Sequence, residues 1–500
     1  MKTWIWVLVG LLVPAVGWSQ AVAVSYGTTR DIPPYFVGVN GNVTGQNQPW
    51  DNPALRAGFR KTGATNLRYP AGTLANYWDW DRGWLAPDVP DSLMIPWVVT
   101  QGLNRSPDRY PLDNFAKAIR ETGAEPIYVL NLLTRDLDHS LRGLRRAKAL
   151  GLPVRLIELG NELYFNLKLE SAVFPTPEAY GQTCEQWILA IKKEFPEARC
   201  AVLGTELARN ERQRDWTARV LAQAPHADAV IFHVYTPFGL DGQRERVGNN
   251  AGQEGLTAGG PLRSTLEKQT AELALLADPA AYARMLATAR EAASRYRRMN
   301  VPQQLPVWAT EFNVRADSSA LRGTWANALF IAQFYDEFLA GGQVALSCFH
   351  NIQGAQFGAF YNTRQAFNHL KTSRIINEPG VLSAGGQMTR WFADATRGRT
   401  KATALRFENA PLLRSAEGTT VPALLGWVFG EGRNRAGLLV NSSAQAVDLD
   451  LKILNLPGRY TQVNGPLTHY VQDTTGLTQT TGSLGASLRM APHSVTLLTL

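Results

Sequence analysis

Short apolar runs alternate with longer helix-like segments between about Tyr35 and Trp391. The runs predict strands at Phe36–Val39, Thr65–Tyr69, Pro126–Leu130, Arg155–Leu159, Ala201–Gly204, Ala229–Val234, Pro306–Thr310 and Val344–Phe349. Each is brief, largely apolar and bounded by turn residues, the pattern of strands covered on both faces. The spacing of apolar positions between them predicts helices, most clearly over Leu112–Thr122, Pro177–Glu194, Ala280–Arg298 and Trp325–Ala340. Thr176 before Pro177 suits an N-cap followed by proline at the first helical position. Strands alternating with helices in this way predict an α/β fold, a (β/α)₈ TIM barrel. A doubly wound open sheet would open on a G-x-G-x-x-G turn, and none follows the first strand.

From about Thr400 the texture changes to short strand-like runs: Ala402–Phe407, Leu424–Phe429, Ala436–Val440, Val447–Leu451 and Ser494–Leu500. Gly, Asn and Ser punctuate them, as in a C-terminal antiparallel β-sandwich domain. Ala21–Tyr26 alternates in the same manner ahead of the barrel. The expected organisation is a signal peptide over 1–20, a strand within 21–34 available to the sandwich, a catalytic barrel over 35–391 and the sandwich over 392–500. The glycine-rich stretch Gly239–Gly260 reads as a long loop after the sixth strand.

The leader reading rests on Lys2, the apolar run Trp4–Val16 and the small or polar Gly17, Ser19 and Ala21. It predicts a secreted or periplasmic protein. No later run is long enough to span a membrane, and no cysteine follows the leader to carry a lipid anchor. Three cysteines, Cys184, Cys200 and Cys348, are too few for a disulfide scaffold and read as core residues, with a Cys184–Cys200 pair left open. The net charge of +8 is mild for 500 residues. It permits an acidic polysaccharide without demanding one. The basic residues form no long stripe, so nucleic acid is a poor partner. Nothing in the sequence bears on oligomeric state.

Reactive groups in such a barrel sit at the C-terminal ends of its strands. The fourth strand ends Gly160-Asn161-Glu162 and the seventh ends Glu311-Phe312-Asn313, which puts two carboxylates on one rim. Glycoside cleavage needs such a pair, one to protonate the leaving oxygen and one to attack the anomeric carbon or activate water. No H-E-x-x-H helix, P-loop or G-x-S-x-G elbow offers another chemistry.

Asn-Glu on the fourth strand and Thr310-Glu311-Phe312-Asn313 on the seventh resemble clan A of the glycoside hydrolases. The resemblance implies Glu162 as acid/base, Glu311 as nucleophile and Asn161 as a ligand of the sugar 2-hydroxyl, with no metal or organic cofactor. Arg68-Tyr69-Pro70-Ala71-Gly72 looks like the clan's arginine-bearing second strand, and His233-Val234-Tyr235 like its sixth strand end. Arg68 then lies beside the nucleophile and favours its ionised form. The β-domain end Pro492-His493-Ser494-Val495-Thr496 is similar to that of α-L-arabinofuranosidases and heparanase-like β-glucuronidases. Two positions depart from the pattern: Ala71 stands where arabinofuranosidases carry glycine, and His350 follows the eighth strand where many members have tryptophan.

Further candidates for sugar contact are Asn131 at the end of the third strand, His350, and Trp78. Trp78 shares the loop after the second strand with Trp80, Trp84 and Trp97. Such rings stack on sugar faces or fold over one another. Glu158 is expected to face away from the site. The sequence thus predicts a secreted retaining glycoside hydrolase acting on a plant, algal or matrix polysaccharide or oligosaccharide. Its rivals are a non-catalytic carbohydrate-binding protein on a degenerate barrel, or a transglycosylase.

Overall fold

The computed structural model describes residues 21–42, 50–106, 109–236, 266–314, 320–354, 358–361, 366–370, 373–376, 380–454 and 456–500. The leader 1–20 and the loop 239–260 lie outside them. Eight parallel strands close a barrel in chain order: β1 (Val37–Asn40), β2 (Asn66–Tyr69), β3 (Glu125–Leu130), β4 (Leu156–Leu159), β5 (Arg199–Leu203), β6 (Ala229–Thr236), β7 (Val307–Val314) and β8 (Val344–Phe349). β8 closes on β1 through Ser347–Val37, Cys348–Gly38 and Phe349–Val39.

Every residue of β1, β2, β3, β4 and β7 is buried, which is why these runs read as largely apolar. Alternation returns only at the mouth end of β6, where His233 and Tyr235 are part-exposed between buried Val234 and Thr236. β6 and β7 outrun their expected ends at Val234 and Thr310. After a register shift between Trp308 and Glu311 they stay paired through Glu311–His233, Phe312–Val234, Asn313–Tyr235 and Val314–Thr236. Glu311 therefore stands within a strand, held on both sides of its own backbone.

Local signals set the helix ends. Leu112–Thr122 stops at Gly123 with φ 69°, and Pro177–Glu194 starts from Thr176, whose hydroxyl accepts from the Ala179 amide at 3.2 Å. Helix Trp325–Gly341 is buried from Trp325 to Leu339, and its polar Gln333, Asp336 and Glu337 meet Arg290 of the helix Pro279–Ser294 rather than solvent. It is covered on one side by the barrel and on the other by the second domain.

That domain is a nine-stranded sheet. Val22–Asp31 lies in it, antiparallel to Lys401–Glu408 and parallel to Val447–Asp450. The sheet folds over itself. Val22, Leu449, Leu488 and Met490 share an apolar core with Leu424, Val428, Leu439 and Leu498 from strands farther along its order. Its opposite face, with Trp427, Phe429, Leu438 and Val495, joins the barrel's core. Two indoles fix the junction: Trp427 Nε1 donates to Asp336 Oδ1 at 2.9 Å and Trp325 Nε1 to the His493 carbonyl at 2.6 Å. All three cysteines are buried free thiols. No helix among the described residues is long and apolar enough to cross a membrane.

Candidate active site

Arg68, on β2, has no exposed surface. Its Nη1 donates to Glu311 Oε1 at 2.5 Å, its Nε to Glu158 Oε2 at 2.9 Å and its Nη2 to Asn161 Oδ1 at 2.8 Å. Burial opposes the guanidinium charge, but Glu158 and Glu311 outweigh it and hold the pKa above its ordinary value. Glu158 therefore faces the interior beneath the site, contrary to expectation. Alternation carries positions 158 and 160 to one face, and the chain leaves strand geometry just beyond, with Gly160 at φ 87° and Glu162 at φ 51°. That turn lifts the Glu162 carboxylate to the mouth while Glu158 stays below.

Glu311 is 5% exposed. Oε1 also accepts from Asn40 Nδ2 at 3.2 Å, and Oε2 accepts from the Tyr235 hydroxyl. Burial alone would favour the neutral acid. His233, His350, Arg68 and the Tyr235 hydroxyl together overcome it and hold the carboxyl well below the ordinary carboxylate range. Burial also pushes His350 down to about 4, so its ring is neutral at physiological pH. The permanent cation beside Glu311 is Arg68. His350 stands 3.6 Å from Glu311 Oε2, within hydrogen-bond reach of Asn40 Nδ2 at 2.8 Å.

Glu162 is more open. His233 Nδ1 lies 3.1 Å from its Oε1, and His233 Nε2 lies 3.1 Å from Thr310 Oγ1. The Tyr164 hydroxyl donates to Glu162 Oε1 at 3.4 Å. An oxygen of Glu162, an oxygen of Glu311 and a ring nitrogen of His233 all lie within 4.8 Å of one another. Such a trio could bridge an ion, but Glu311 already accepts from a guanidinium, a hydroxyl and an amide. A second trio, Asp79, Asp81 and His139, is likewise committed. Arg135 Nη2 donates to Asp79 at 2.8 Å, and His139 Nε2 accepts from the Trp80 amide at 3.2 Å.

The structure thus gathers Arg68, Asn161, Glu162, His233, Tyr235, Glu311 and His350. Asn161 keeps one buried amide group, Nδ2, without a partner among the described residues. Two other candidates are not at the site. Asn131 spends its whole amide on the loop: Nδ2 donates to the Trp78 carbonyl and Thr134 Oγ1, and Oδ1 accepts from the Leu133 and Thr134 amides. Trp78 is 1% exposed, packed edge-on against Tyr69 and Trp84. The tryptophan loop folds over its own rings because Tyr69, Tyr110 and Tyr128 complete an aromatic core around them.

Residues the sequence reading missed include Asn40, Asn76, Tyr164, Thr310 and Gly72. Asn40 was legible as the polar residue that ends β1, at the same rim as the carboxylates. Asn76 carried no signal; it fixes the fourth-strand turn by accepting from the Asn161 amide at 3.0 Å and donating to the Asn161 carbonyl at 2.8 Å.

No protein-family model matches the chain. No curated protein matches it either. Solved structures do. A family 51 α-L-arabinofuranosidase from Bifidobacterium longum is similar at 17% identity and TM-score 0.63, over 96% of this chain and 98% of that one. A GH51 arabinofuranosidase from Xanthomonas axonopodis pv. citri is similar at 14% identity and TM-score 0.64, over 96% and 99%. A 4-O-α-L-rhamnosyl-β-D-glucuronidase from Fusarium oxysporum is similar at 13% identity and TM-score 0.57, over 96% and 100%. What these likenesses share is the fold: over nearly its whole length the chain has the same barrel-and-sandwich architecture as these solved structures.

Proposed function

We propose that the chain is a secreted retaining glycoside hydrolase in which Glu311 attacks the anomeric carbon and Glu162 is the acid/base. The observation that carries this reading is the approach of the two carboxylates to within 4.8 Å, Glu311 buried among donors and Glu162 part-exposed at the mouth. A gap of about 5–5.5 Å suits attack by a carboxylate, whereas about 6.5–9.5 Å leaves room for a water. Glu311 is kept ionised by Arg68 and the Tyr235 hydroxyl, as a nucleophile requires. Glu162 stands at the mouth with a partner suited to both of its protonation states. His233 Nδ1 can donate to a carboxylate or accept from a carboxylic acid, while the Thr310 hydroxyl accepts or donates at Nε2 to match.

In the first step Glu162 passes its proton to the glycosidic oxygen as the Glu311 oxygen bonds to the anomeric carbon and the leaving group departs. In the second, Glu162 takes a proton from water, which attacks the same carbon and releases Glu311. Asn161 Nδ2, without a partner among the described residues, is available to the sugar 2-hydroxyl. Carbohydrate is the partner, and arabinofuranoside and β-glucuronide are the first glycosides to try. Secretion rests on the leader alone. Proton NMR of a cleaved aryl glycoside tests the reading: the first product formed should keep the substrate's anomeric configuration, and an inverted first product would overturn it.

A further inference from the structure

The two carboxylates of the site are supported in different ways. Glu311 stands inside β7, which is paired on both sides. β4 ends at Leu159, and Glu162 lies beyond it in a turn, with φ 51°. That left-handed conformation is unfavourable for a residue with a side chain and persists only where the surroundings hold it. Locally the turn is closed by one backbone bond, from the Phe165 amide to the Glu162 carbonyl at 3.0 Å.

The rest of its support comes from the loop after β5. Arg212 Nη2 donates to the Leu163 carbonyl at 2.5 Å, Gln213 Nε2 to the Tyr164 carbonyl at 3.3 Å and Arg212 Nη1 to the Phe165 carbonyl at 2.9 Å. The three consecutive carbonyls directly after Glu162 thus each take a side-chain donor. The same guanidinium reaches farther along the chain, with Nε donating to the Phe174 carbonyl at 2.9 Å and Nη2 to the Glu170 carbonyl at 3.3 Å. Its carbon lies 5.0 Å from the centre of the Trp216 ring. Trp216 is buried and tied to β5, because its Nε1 donates to the Leu203 carbonyl at 3.0 Å. Arg212 forms no ion pair among the described residues; its donors go to main-chain oxygens. Burial pulls it down to about 10 and Glu170 opposes this, so it stays cationic at physiological pH. Only a planar fork of several donors can meet so many carbonyls at once.

We propose that Arg212 is a positioning residue for the acid/base: by clamping the carbonyls of Leu163, Phe165, Glu170 and Phe174 against Trp216, it fixes the turn that aims the Glu162 carboxyl at the glycosidic oxygen. The inference rests on the acid/base reading of Glu162 above. Glu311 is held by Arg68, Asn40 and Tyr235 from other strands, so loss of Arg212 should displace the acid and spare the nucleophile. The leaving group tells these apart. A basic leaving oxygen needs a proton as it departs, whereas a weakly basic one does not.

The test uses the full chain and the sugar it cleaves best, offered as the phenyl glycoside and as the 2,4-dinitrophenyl glycoside. General acid catalysis is worth about 100- to 10,000-fold, and a misaimed acid forfeits part of it. In Arg212→Met, kcat/KM for the phenyl glycoside should fall at least about thirtyfold and that for the dinitrophenyl glycoside less than about threefold. Arg212→Lys keeps the charge and the stem but not the fork, so it should show the same split at smaller size, and it decides the matter if Arg212→Met does not fold. Glu162→Ala should show the split at its largest. Each pair of rates is read on one preparation, so the split does not depend on how much of a variant folds, and a merely structural arginine would lower both rates alike. Equal losses on the two glycosides in the Arg212 variant, or no loss on either, overturn the inference alone when Glu162→Ala shows the split. Equal losses in Glu162→Ala, or folded wild-type protein that cleaves no glycoside in a broad panel, remove the acid/base reading and this inference with it.

Discussion

A β-carbon added at Gly72 would lie 2.4 Å from Glu311 Oε1. Real side chains do not approach so closely, and Glu311 cannot easily yield because Arg68, Asn40 and Tyr235 hold both of its oxygens. Of the two small residues in the motif after β2, the geometry demands glycine at 72, whereas position 71 accepts a buried alanine. Gly72→Ala should displace the carboxylate and lower kcat about 100-fold, the scale of loss for a reacting group misplaced by an ångström. Steady-state kinetics beside a thermal melt separates this from unfolding; unchanged kcat would refute the steric argument.

Arg68 is the cation shared by two buried carboxylates. Arg68→Met should destabilise the fold by about 3–5 kcal/mol, because Glu158 and Glu311 are left buried without a partner. It should also raise the Glu311 pKa. The nucleophile must be ionised, so the acid limb of the kcat/KM profile should move to higher pH. Arg68→Lys restores the charge but not the fork that serves Glu158, Asn161 and Glu311 together, so recovery should be partial. Urea titration and a pH–rate profile on the same preparations check both parts.

Asn131 supports the tryptophan loop. Asn131→Ala strips partners from the Leu133 and Thr134 amides and the Trp78 carbonyl, and should cost about 1–3 kcal/mol in stability. KM should change little. A large rise in KM with no loss of stability would return Asn131 to the sugar.

His350 gives the fold a dependence on acid. Its ordinary pKa of 6.5 falls to about 4 in the folded chain, mainly through burial. The unfolded chain therefore binds the proton more readily. Stability from this group is full above about pH 6.5 and is lost as pH falls toward 4, to a limit of about 3 kcal/mol. Urea midpoints between those pH values should slope less steeply in His350→Phe than in wild type; parallel slopes would contradict the assignment.

The barrel was legible because its strands are buried on both faces and its helices carry clear ends. Leu112–Thr122 and Pro177–Glu194 run as the spacing predicts. The rim was legible wherever a polar residue ends an apolar strand, as with Arg68, Glu162, His233 and Glu311. What escaped depends on three-dimensional closure. Asn131 ends its strand just as the others do, yet its amide is claimed by a neighbouring loop. Trp78 is aromatic in the right place, but Tyr69 and Trp84 reach it first. Glu158 turns inward because Arg68 waits there, and no spacing along one strand announces a partner on another.

The nucleophilic role of Glu311 is tested most directly by Glu311→Gly with an activated aryl glycoside, with and without azide. The variant should be nearly inactive, and azide should restore turnover by filling the space of the lost carboxylate, yielding a glycosyl azide of inverted anomeric configuration. Full activity without azide, or an inverted azide product from Glu162→Ala instead, would contradict the account.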